Sequence, residues 1–145
     1  MSRWRKFWRL SGSERRLVVT AAVLLPVVGA MLRVFGFARS QSILTSLTRP
    51  RSGAQPASID EARSSARLVR AAAERGVYRA TCLPQSLLLW SLLRRRGEDA
   101  ILRVGVRKNA DRVHAHAWVE CRGVVINDDP DVHAQFTAFE RVTVQ

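Results

Sequence analysis

Apolar positions along this chain follow three different rules. From Leu17 to Leu32 they form a run of 16 residues, broken by Pro26 and Gly29 and closed by Arg33. Ser11 and Glu14 stand before it at capping-box spacing, where each satisfies a free backbone donor, so a helix is predicted to open there. Ser58 and Glu61 repeat that spacing ahead of a second helix that ends before Gly76. There Ala62, Ala66, Val69 and Ala73 fall on one face and the arginines on the other. After Cys82 the rule changes: Leu83, Leu87, Leu88, Leu89, Trp90, Leu92 and Leu93 cover nearly the whole circumference of a helix that stops at Arg94–Gly97. A helix apolar all round is buried on most sides, and Pro84 suits its first turn, where a missing N–H costs little. From Ala100 the period becomes two. AILRVGVR, VHAHAWVE and VVIND read as three strands of an antiparallel meander.

These elements predict an α+β chain in three parts. Residues 1–47 form a basic N-terminal helical segment, 48–57 (TRPRSGAQPA) a linker, and 58–145 a compact domain with a central helix on a small antiparallel sheet. Net charge is +12, and 22 of the 24 basic residues are Arg, scattered over nearly every segment. Such a balance attracts anions and acidic partners through its long-range field. Nucleic-acid binding would want basic residues clustered with interleaved aromatics, so no nucleic-acid partner is expected. Cys82 and Cys121 are too few for a disulfide framework, which points to the reducing cytoplasm. The Leu17–Leu32 run is shorter than the roughly 20 residues of a spanning helix, and reading on to Phe37 would bury Arg33. Three readings stay open for it: packing on the domain or a partner, contact of residues 1–40 with a membrane surface, or a secretion signal without a clear cleavage site.

Chemistry enters at the hairpin between the second and third strands. A two-residue turn at Arg122-Gly123 would place His116 opposite Asp129. A three-residue turn, Cys121-Arg122-Gly123, would place it opposite Asp128, with Gly123 at the position needing positive φ. The second register is the one expected, and it faces a carboxylate with an imidazole whose tautomer it can fix. Cys82 at a helix start meets the positive end of the helix dipole, which favours thiolate, and the first-turn N–H groups are free for an oxyanion. Nucleophile, base and orienting acid are thus Cys82, His116 and Asp128. Each also has a plain reading: Cys82 as core packing, His116 as a satisfied strand residue, Asp128 as a turn former. Their order along the chain and the register favour catalysis. His114 and Trp118 share the His116 face and are the candidates for substrate contact. A zinc site from His114, His116 and either cysteine lacks any Cys-x-x-Cys or His-Glu-x-x-His spacing, so no metal is expected. Cys121, placed in the turn, reads as a bystander.

CLPQSLLLWSLLRRRGEDAILRVGVRK followed by HAHAWVECRGVVINDD resembles the protease half of the lasso-peptide biosynthesis B proteins, members of the transglutaminase-like cysteine protease superfamily. The likeness covers about residues 58–140, and the basic start with its apolar helix also looks like that family. It implies a transglutaminase-like, papain-like fold and a leader peptidase. Cys82 would be its nucleophile, His116 its general base and acid, and Asp128 the residue that orients the imidazole. It implies a precursor peptide as substrate, no cofactor of its own, and an ATP-dependent lasso cyclase as partner. Residues 1–57 are too short and apolar for the winged-helix leader-binding domain of fused relatives, so the split type, with a separate leader-recognition protein, is expected. Gln85 stands where relatives often carry Arg and is assigned no role. Acyl transfer on the same fold and a non-catalytic scaffold are the alternatives.

Overall fold

The computed structural model describes residues 3–138; the predicted domain's last residues, 139–145, lie outside them. Helix α1 (Arg3–Trp8) leads into α2 (Gly12–Leu47), two helical pieces meeting at Gly36, where φ is 76°. Helices α3 (Ile59–Arg75) and α4 (Cys82–Arg95) follow, then strands β1 (Ala100–Asn109), β2 (Arg112–Cys121) and β3 (Val124–Val125). A short α5 (Val132–Gln135) and β4 (Thr137–Ala138) complete the described chain. Both capping boxes form: Ser11 and Ser58 each accept from the backbone N–H of the glutamate three residues on, and donate their own N–H to its carboxylate. The Ser11 N–H on Glu14 holds that exposed carboxyl below its ordinary range.

Pro26 and Gly29 do not end α2, which runs well beyond the apolar stretch that announced it. Its inner side explains this. Ala21, Leu25 and Val28 are buried in one cluster with Ala62, Val69 and Ala73 of α3 and the leucines of α4. Tertiary packing of that stripe outweighs the one hydrogen bond a proline removes. Residues 48–57 contain neither helix nor strand, and the hydrophobic core extends back across them into α2.

Helix α4 lies between the other helices and the sheet. Leu87, Leu88, Leu89 and Leu93 are all at most 1% exposed, and each such side chain contributes about 1.5–3 kcal/mol of burial. The sheet has the order β3-β2-β1-β4, all antiparallel. The meander β1–β2–β3 agrees with the period-two reading; β4, on the outer edge of β1, was not read from the sequence. One face, with Leu102, Val119 and Cys121, packs on α4. The other holds a smaller cluster of Trp118, Val125 and Val132, flanked by Phe136 and Ala138.

Candidate active site

The β2–β3 hairpin differs from the expected register. Cys121 pairs with Val124 and Glu120 with Val125, so the turn is the two-residue one. Arg122 and Gly123 both have positive φ, 52° and 77°, the pattern of a type I′ turn whose twist suits the strands. Cys121 is therefore the last residue of β2 and fully buried, not a turn residue. In a straight ladder His116 would now face Asp129. Strand β3, however, lasts only two residues, and after Ile126 donates its N–H to Val119 O the chain leaves the ladder. Asp128 Oδ2 then reaches His116 Nε2. The expected pair forms through a different route.

What replaces the missing strand positions the rest. Residues 117 and 119 turn their backbone groups to the same edge of β2, the edge that β3 vacates. Val119 N–H donates to Asn127 Oδ1 (2.8 Å), and Asn127 Nδ2 donates to Ser86 Oγ (2.9 Å). Ser86 in turn donates to Ala117 O (2.9 Å). Helix α4 thus docks on the β2 edge beside His116, one turn after Cys82. Asn127 and Ser86 went unnoticed in the sequence, where VVIND places Asn127 inside the third strand.

Cys82 is the first residue of α4 and is half-buried. Thr81, its N-cap, makes no side-chain cap, and Pro84 has no N–H, so the Cys82 and Leu83 N–H groups are free donors of the first turn. Among the described residues Cys82 makes no hydrogen bond to His116 or Asp128. Asp128 occupies His116 Nε2, which leaves Nδ1 as the ring nitrogen open to a further partner.

The imidazole is walled by aromatics. Phe136 tilts against it at 5.0 Å between centroids, and Trp118 stacks at 6.2 Å. Trp118 is 0% exposed and donates Nε1 to Glu120 Oε1 (2.9 Å), so it cannot touch substrate; the expectation that it contacts substrate is corrected to a wall behind His116. Glu120, 4% exposed, also meets Arg103 (3.2 Å) and His133 (2.7 Å), which satisfies a carboxylate that would otherwise be costly to bury. Gly105 pairs with His116 across the ladder, and a Cβ there would lie 2.9 Å from Trp118 Cη2 and 3.0 Å from Phe136 Cβ. Glycine is needed for that close approach. His114 is exposed, opposite Arg107.

The family model described as the transglutaminase-like superfamily matches residues 22–141. The chain belongs to the transglutaminase-like superfamily. The match begins inside α2, which agrees with the shared core. The chain is also 33% identical over 66 residues, 46% of its length, to the microcin J25-processing protein McjB of Escherichia coli. That alignment spans 31% of the relative, so the chain corresponds to about a third of the curated protein it matches. No solved structure matches it. The transglutaminase-like assignment agrees with the α+β fold expected from the chain's own periodicities.

Proposed function

We propose that this transglutaminase-like chain is a cysteine peptidase that removes the leader from a ribosomally made lasso-peptide precursor. The observation that carries this reading is the His116–Asp128 pair at the β2 edge where the α4 N-terminus, beginning at Cys82, is bonded through Ser86. Similarity to a protein named for processing microcin J25 supports it.

In this reading His116 Nδ1 takes the Cys82 thiol proton, and the sulfur attacks the carbonyl carbon at the leader–core junction. The oxyanion is met by the Cys82 and Leu83 N–H groups. His116 passes the proton to the departing core amine as the C–N bond breaks. Water, deprotonated by His116, then hydrolyses the thioester and releases the leader as a free acid. Asp128 holds the ring and stabilises its cationic form throughout. His114, exposed on the same face, contacts the peptide.

The working assembly comprises the precursor, a separate winged-helix leader-recognition protein and an ATP-dependent cyclase that closes the macrolactam. The chain works in the cytoplasm at a membrane surface: Val19, Val23 and Val27 line the outer side of α2, and Arg5, Lys6, Arg9 and Arg16 precede them. Flotation with anionic vesicles tests this; Val23→Glu should abolish it.

The deciding experiment is mass spectrometry of precursor incubated with the chain and its leader-binding partner. Leader ending in a free acid is expected from wild type and none from Cys82→Ala. Undiminished cleavage by the variant ends the peptidase reading. Leader joined to an amine would instead establish acyl transfer, the chemistry for which the superfamily is named.

A further inference from the structure

A cleft of about 700 Å³ opens between α3 and the Asn127–Pro130 loop, with Asp128 on its wall. Gln85, one turn along α4 from Cys82, lies at the same cleft. Ala66 and Val69 of α3, Leu89 of α4 and Ile126 supply an apolar floor. The α3 side presents Arg63, Arg67 and Arg70, spaced four and three residues apart and so aligned along one stripe.

The charges of that stripe are unevenly used. Arg70 Nε is paired with Glu74 (2.9 Å) out in solvent. Arg67 donates only to the Ser64 hydroxyl (2.9 Å), and Arg63 is half-buried. Among the described residues neither Arg63 nor Arg67 meets a carboxylate. The two acids across the cleft are already engaged: Asp128 with His116 and the Asp129 N–H, and Asp129 with the Asp131 N–H. A groove whose α3 wall carries two guanidinium groups that meet no carboxylate among the described residues offers an anion a site on that side, and the planar fork of Arg selects a carboxylate over a simple point charge. The apolar floor fits aliphatic side chains between the acidic ones, as in an extended peptide, and gives nothing on which a nucleic acid could stack its bases.

We infer that this cleft binds an acidic stretch of the peptide substrate, with Arg63 and Arg67 as the residues that read its carboxylates. The inference rests on the peptidase reading for the identity of the ligand, because the cleft runs to Asp128.

Short labelled peptides of equal length, one with Glu at alternate positions and one with Gln in their place, test it by fluorescence anisotropy against the full chain. The Glu peptide should bind roughly tenfold more tightly at low salt. Arg63→Glu with Arg67→Glu should erase that preference, as should the milder Arg63→Gln with Arg67→Gln. Reversing Arg9 and Arg16 removes the same total charge elsewhere and should leave the preference intact. Equal binding of the two peptides, or a preference lost equally with the Arg9 and Arg16 reversal, overturns the inference. Cys82→Ala binds like wild type if the cleft works as described, so failure of the cleavage test and failure of this binding test are separate results.

Discussion

The two cysteines are both small, both at the end of an element, and opposite in circumstance. Cys82 opens α4, half-exposed, with uncapped N–H groups around it. Cys121 closes β2, 0% exposed, its thiol pushed up from 9.0 to about 11 by burial and by the nearby Glu98 carboxylate, against the opposing Arg122. The start of a helix leaves backbone donors beside the sulfur. The end of a buried strand surrounds sulfur with hydrocarbon and an acid, which keeps it a neutral thiol. Sequence composition treats the two alike; the ends of the elements separate them.

The most severe way to break this contrast is to remove each thiol in turn. Cys82→Ala should lower leader cleavage by roughly 10³-fold or more while leaving the thermal midpoint almost unchanged. Cys121→Ala should do the reverse, retaining cleavage and losing about 1 kcal/mol of stability in urea titrations. Asp128→Asn is next: the orienting charge goes and kcat should fall by roughly 10²–10⁴-fold, with KM little altered. Smaller again is Ser86→Ala, which unpairs Asn127 Nδ2 and Ala117 O and should cost about 1–3 kcal/mol by chemical denaturation. Gly105→Ala should cost a similar amount through overpacking against Trp118 and Phe136. The finest test is pH. Because the folded Cys121 pKa lies above the unfolded value, its contribution is complete below pH 9.0 and is lost as pH rises toward about 11. Wild type should therefore weaken across that window and Cys121→Ala should weaken less, as read from melting temperatures.

Much of this was legible because local chemistry and tertiary packing agreed. The capping boxes at Ser11 and Ser58, the all-round apolar α4 and the first two period-two strands fold as their patterns say, whereas the third, read over VVIND, stops after Val125. The β2–β3 turn was misread because Gly123 satisfies either turn type, and only the φ of Arg122 distinguishes them. The His116–Asp128 pair survived that error because Asn127 substitutes a side-chain amide for strand backbone, an exchange with no periodic signature. Trp118 looked available for substrate because alternation gives the side of a strand and not what covers it. Its cover comes from Val125, Val132 and Phe136, beyond the strand and irregular in sequence. Arg63 and Arg67 of α3 were hidden by abundance, since nearly every segment carries Arg.

The Asn127–Ser86 link has a consequence for how a chain with this arrangement can diversify. It fastens the Asp128 loop to the helix that Cys82 opens from the inner side, whereas the far walls of the cleft are formed by Asp129, Pro130 and the arginines of α3. On the proposed reading, peptide preference can be rewritten on the α3 wall without touching Cys82 or His116, so that selectivity and reactivity are separately adjustable within a few residues of each other.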